Sequence, residues 1–191
     1  SPVLPEDPLY KPKNSHVAQS KHSLMGATTT NGDGFGVGWY GAYETPGLFR
    51  STEPAWNDLN LRELCAHAKA GRVFAHIRAS TGSAVQQTNC HPFRHGSWLW
   101  MHNGYLAGFH EMKRDLAMEV DPELFADIQG STDSEMLFFL ALTSGLREDP
   151  REDHRERVVE GIEQRRRAQA QRGGDEPLAP RQALCPAHDR T

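Results

Sequence analysis

Residues 131–146, STDSEMLFFLALTSGL, constrain this chain more than any other stretch. Ser131 or Thr132 is a good helix N-cap, Asp133 and Glu135 put negative charge where the helix dipole favours it, and an apolar body follows. The run is far short of the roughly 20 apolar residues needed to cross a bilayer, so this helix belongs in a protein core. A chain of 191 residues can bury one sizeable core, which predicts one globular domain with an extension.

Upstream, the periodicity alternates between two kinds. FGVGWYGAY (35–43) mixes aromatic and branched residues with glycines, as in a strand that something approaches closely. DLNLRELCAHAKA repeats its apolar residues at a helical period behind Asn57 or Asp58 as N-cap. RVFAHIRAS (72–80) alternates Val73, Ala75 and Ile77 against Phe74, His76 and Arg78, a strand bracketed by Gly71 and Gly82. SWLWMH (97–102) reads as the next strand, EMKRDLAMEV and DPELFADI as helices, the second opened by Asp121 with Pro122 at its first position. Strands followed by helices predict a layered α+β domain over residues 1–149.

The ends differ. Prolines at 2, 5, 8 and 12 make the opening extended or looped. Residues 150–191 are charged and then Gly- and Pro-rich, which predicts a solvated helix to about residue 170 and disorder beyond it. A formal net charge of −4 gives no general reason to expect a nucleic-acid or membrane partner, and small polar ligands fit better. With no secretory signal pattern, a cytoplasmic protein is expected. Cys65, Cys90 and Cys185 form no C-x-x-C pair, so reduced thiols are expected and neither a disulfide framework nor a zinc knuckle. No cofactor is called for.

Four pieces between residues 31 and 135 carry chemistry: NGDGFGVGWY, AHIRAST, NCHPF with WMHNG, and STDSE. Each has a plain explanation. Arg78 suits a surface salt bridge, Asn103-Gly104 a hairpin turn, Asp133 a helix cap, and the glycines around Asp33 a turn. Together they suit an α-amino acid amide. A guanidinium grips a carboxylate bidentately, and a carboxylate such as Asp133 holds an ammonium. An asparagine side-chain N–H and the next glycine's backbone N–H can converge on one oxyanion. Ten histidines, among them His76, His91, His95, His102 and His110, raise the alternative of a metal site, but their spacings match no H-E-x-x-H pattern.

In order and spacing, DGFGVGWY, AHIRAST, NCHPF, MHNG and STDSE resemble the class II glutamine amidotransferase domain of the N-terminal nucleophile hydrolases, over about residues 1–146. DGFGVGWY and the opening SPVLPEDPLY resemble the stand-alone bacterial members, a group that includes the γ-glutamyl hydrolase of ergothioneine synthesis. The resemblance implies a four-layer αββα sandwich of two antiparallel sheets. It implies that Arg78 binds the substrate α-carboxylate with Thr81 lining the pocket, that Asn103 and Gly104 form the oxyanion hole, and that Asp133 binds the α-amino group. Asp33, Gly34 and Gly36 match the strand entry beside the nucleophile, with Asp33 and Gly34 counted among the substrate-binding residues, and His91 matches a structural histidine. Ala79 and Gly82 depart from the tryptophan and histidine that many members carry near the arginine.

The resemblance also implies an N-terminal cysteine that attacks the amide, forms a thioester and passes its acyl group to water. Ser1 precedes Pro2 and is read as an internal residue, so the nucleophile is expected outside this chain. Cys90 beside His91 is not a thiol–imidazole pair, because neighbours in an extended chain face opposite ways, and Cys65 falls on the apolar side of its helix. The resemblance implies further strands after the long helix, which the tail does not supply; a truncated gene or shifted frame would leave a sheet edge exposed. The expected activity is release of ammonia or glutamate from glutamine or a γ-glutamyl amide, with a separate synthase partner if the protein is a true transferase. The alternatives are the ergothioneine-type γ-glutamyl hydrolase and a non-catalytic amino-acid-binding fragment.

Overall fold

In the computed structural model, which describes residues 9–13, 15–21, 30–80 and 82–146, the chain divides into two units, Ser1–Met101 and His102–Thr191. The charged tail, Cys185 and Thr81 lie outside the described residues. The first unit is organised by period-two alternation. Strand β1 (Phe35–Tyr40) lies between β2 (Gly47–Ser51) and β3 (Arg72–Ile77), antiparallel to both, with Val37 opposite Phe49 on one side and Ala75 on the other. This register puts Phe35, Val37, Phe49, Val73, Ala75 and Ile77 into one apolar cluster with Leu61 and Cys65 of helix α2 (Leu59–His67) and Val17 of helix α1 (His16–Lys21).

The opposite face of β1 carries Gly36 and Gly38. A side chain on Gly36 would run into the backbone carbonyl of His91, and one on Gly38 would meet Pro92 and Leu99 at 2.8 Å. That close approach lets a second antiparallel pair, β4 (Phe93–His95) and β5 (Trp98–Trp100), pack beside the first sheet, with Leu99 N–H donating to the Tyr40 hydroxyl at 3.0 Å. The turn of this hairpin is Gly96-Ser97.

Helices fill the second unit: α3 (Phe109–Glu119), the short α4 (Pro122–Phe125) and α5 (Asp133–Ala141), the last running into a wider turn at Leu142–Leu146. α3 packs against α5, and its Phe109, Met112 and Leu116 are buried at helical spacing. Residues 134–141 of α5 are all buried, as an apolar helix body requires. The caps are as the sequence predicts. Asp58 Oδ1 accepts from Leu61 N at 2.8 Å, Asp121 Oδ1 from Glu123 N at 2.9 Å, and Thr132 Oγ1 from Glu135 N at 3.2 Å. Each is worth about 1 kcal/mol. Glu135 completes this start differently from a capping box. Its buried carboxylate accepts from Gln129 N and Gly130 N, fastening the preceding loop.

The α+β assignment with two antiparallel sheets therefore holds. The strands are shorter than their sequence patterns, because β1 stops at Tyr40, β3 at Ile77 and β5 at Trp100. Helix α1 and strands β2 and β4 carry no local signal that marks them. Among the described residues, no helix is long and apolar enough to cross a membrane.

Candidate functional site

The predicted residues fall into two clusters, one in each unit. The first is built where β1 and β3 begin and end. Asp33 N donates to Arg78 O at 3.3 Å and Arg78 N to Gly34 O at 2.9 Å, extending the strand ladder beyond its regular part. Asp33 Oδ2 accepts from Ser80 N at 2.8 Å, so this carboxylate holds the loop after β3. Gly34 has a φ of +105°, and a Cβ there would sit 2.7 Å from both Cys90 Sγ and the Ser51 carbonyl oxygen. Only glycine fits that backbone in that space.

Arg78 is 4 % exposed. Ser80, Ser83 and Ala84 surround its guanidinium: Nη2 donates to Ser83 Oγ at 2.7 Å, to Ala84 O at 3.1 Å and to Ser80 Oγ at 3.2 Å, and Nη1 to Asp33 O at 3.2 Å. Every one of these acceptors is a neutral oxygen. Among the described residues no carboxylate forms an ion pair with Arg78. The surface salt bridge that suits an arginine at a strand end is therefore not what forms here. A buried cation held by dipoles alone is costly unless an anion joins it.

Cys90 is fully buried, its thiol directed at the carbonyls of Ser51 (3.4 Å) and Gln86 (3.7 Å). Burial pushes this thiol's pKa up, against the opposing pull of Arg78 and Arg50, so it stays protonated and unreactive. The adjacent His91 turns elsewhere, stacking on His76 (centroids 4.3 Å apart) and edge-on to Phe93 (4.6 Å). Cys65 is buried in the apolar cluster, as its helical position predicts.

The second cluster lies at the start of α5. Asn103-Gly104 does not close a hairpin, since β5 has already paired backwards with β4; the two exposed residues sit in an irregular segment leading to α3. Asp133 Oδ2 accepts from Leu106 N at 2.6 Å, and its Oδ1 from Ser134 N at 2.8 Å and Ser134 Oγ at 3.3 Å. A carboxylate has about four acceptor positions, so Asp133 can take one more donor. His102 Nδ1 lies 3.0 Å from Ser134 Oγ. Sequence reasoning missed Ser80, Ser83 and Ser134, and raised His102 only among the histidines of a metal-site alternative. The Ser- and Gly-rich STGSA after Arg78 was the one available signal, whereas nothing local couples His102 to Ser134.

Burial lowers the His102 pKa below its ordinary 6.5, outweighing the Asp133 charge that raises it. The folded protein thus favours the neutral ring. Above pH 6.5 this costs nothing; as pH falls below 6.5 the unfolded chain gains a proton that the folded chain resists, and stability declines until the folded pKa is passed. Denaturation midpoints measured between pH 7.5 and 5 are expected to fall more steeply for the wild type than for His102→Asn. Parallel slopes would refute this.

Among the described residues, no three or more His, Cys, Asp or Glu side chains converge to hold a metal ion. Comparisons with known proteins point to one family. The family model described as class-II glutamine amidotransferases matches residues 18–175. The chain is 43 % identical over 142 residues to a probable glutamine amidotransferase, DUG3, of Saccharomyces cerevisiae, covering 70 % of this chain and 40 % of that protein. It is 31 % identical over 87 residues to a γ-glutamyl-hercynylcysteine sulfoxide hydrolase of Mycolicibacterium smegmatis, covering 45 % of this chain and 36 % of the relative. A solved glutamine aminotransferase class-II domain protein from Silicibacter pomeroyi superimposes with a TM-score of 0.61 at 40 % identity, over 71 % of this chain and 58 % of that one. The chain thus spans less than two thirds of the length of each of these proteins.

Proposed function

We propose, for a chain that belongs to the class II glutamine amidotransferases, that its two clusters serve hydrolysis of glutamine or a γ-glutamyl amide. The α-carboxylate of the substrate is the anion that Arg78 lacks, and Thr81 is a further substrate-binding residue. Asp133 takes the α-ammonium. Asn103 Nδ2–H and Gly104 N–H donate to the γ-carbonyl oxygen as it becomes an oxyanion, and Asp33 and Gly34 shape the backbone near the attacking group. A cysteine thiolate adds to the carbonyl carbon of the γ-carboxamide, the C–N bond breaks as the departing nitrogen takes a proton, and water cleaves the resulting thioester to γ-carboxylate and free thiol. The nucleophile is proposed to lie upstream of Ser1. The observation that carries this function is Arg78, a buried guanidinium surrounded by neutral oxygens with no carboxylate partner among the described residues.

Release of glutamate to water, in place of ammonia transfer to a synthase, is favoured by the likeness to a γ-glutamyl hydrolase. Two measurements test the proposal. Calorimetry of the 191-residue chain with L-glutamine is expected to show binding that is lost with 4-aminobutanamide, which keeps the amine and the amide but lacks the α-carboxylate proposed to meet Arg78. A form extended upstream to a Met-Cys start is expected to release ammonia and glutamate. Binding without turnover in the extended form would make the protein an amino-acid-binding module; absence of both would sink the proposal.

A further inference from the structure

The segment from His102 to Leu106 is attached at both ends to the first two residues of α5. At one end His102 Nδ1 meets Ser134 Oγ at 3.0 Å; at the other Leu106 N donates to Asp133 Oδ2 at 2.6 Å. Ser134, 4 % exposed, has one hydroxyl proton, which faces Asp133 Oδ1 at 3.3 Å. A carboxylate can only accept, so the serine donates to it and the histidine must supply its own proton to the serine oxygen. The result is a directed chain, His102 Nδ1–H to Ser134 O–H to Asp133 carboxylate. It requires the neutral or protonated ring to carry hydrogen on Nδ1, leaving Nε2 facing the other way. There Gly104 lies beneath the ring: a Cβ on it would be 2.7 Å from His102 Nε2 and 2.9 Å from Cε1.

We propose that His102 and Ser134 are positioning residues that aim the Asn103 and Gly104 donors, Ser134 by anchoring the imidazole and the imidazole by packing on Gly104. This rests on the oxyanion role proposed above for Asn103 and Gly104. The histidine is two peptide bonds from the glycine, so its ring can hold the local backbone only if something distant holds the ring. Ser134, 32 residues further along the chain, does so. Asp133 fixes the far end of the same segment at Leu106, and the exposed pair between the two anchors is kept from sampling other orientations at little entropic cost when charge develops on the substrate oxygen.

Hydrogen–deuterium exchange of the full chain and steady-state kinetics of the Met-Cys-extended form test this together. Ser134→Ala is expected to speed exchange of peptides covering 103–106 about tenfold and to lower kcat about tenfold with KM unchanged, because the donors, not the binding groups, are loosened. Exchange in α3 is expected to stay at the wild-type level, and Ser134→Thr, which keeps the hydroxyl, to restore both readouts. Unchanged exchange at 103–106, or a rise shared equally by α3, overturns the proposal. A wild-type extended form without turnover counts against the hydrolase function alone, and the exchange ratio then decides the anchoring by itself.

Discussion

Asn103→Ala is expected to lower kcat of the extended, cysteine-bearing protein about 100- to 1000-fold while leaving KM for glutamine nearly unchanged. Asn103 is an exposed residue in an irregular segment, so its removal is expected to shift stability by no more than about 0.5 kcal/mol. The loss of about 3 kcal/mol is specific to the transition state, since the amide donates to an oxygen whose negative charge exists only while the carbon is tetrahedral. Kinetics beside a thermal melt separate the two effects. An Asn103→Ala protein with wild-type kcat would remove the oxyanion role and, with it, the reason for the His102–Ser134 anchoring.

Arg78→Lys is expected to weaken glutamine binding about 100-fold and to destabilise the fold by about 1.5–3 kcal/mol. A lysine preserves the charge but not the planar fork. Its single ammonium has three donors, whereas the Arg78 guanidinium reaches Asp33 O from one nitrogen and Ser80, Ser83 and Ala84 from another. Loss of the fork releases Ser80, Ser83 and Ala84 and leaves their oxygens and the Asp33 carbonyl short of a donor, so the ligand effect and the stability effect have one cause. Calorimetry gives the first and denaturant unfolding the second. An Arg78→Lys protein that binds glutamine as tightly as wild type would show that the buried charge is structural only.

These two residues also show how far the sequence can be read. Arg78 and Asn103 are legible as candidates because their chemistry is intrinsic: a fork that fits carboxylates and an amide followed by a glycine. Their surroundings are not. Asp33 looks like a partner for substrate, yet its carboxylate accepts the Ser80 backbone N–H, a bond spanning 47 residues. Asn103-Gly104 looks equally like a hairpin turn, and only the pairing of β5 with the short β4 excludes this. His102 is one histidine among ten until the fold sets Ser134 beside it.

What the sequence determined by itself is what short-range physics decides. Asp58, Asp121 and Thr132 cap the backbone two or three residues ahead of them, and the apolar periods of β1, β3 and α5 select strand or helix within a few residues. Strands β2 and β4, the cage of neutral oxygens around Arg78 and the two anchors of the 102–106 segment were decided by the tertiary structure alone. Each of these depends on groups brought together by chain closure, with the entropy of ordering offset by burial elsewhere, and no local preference encodes which distant carbonyl or hydroxyl will arrive.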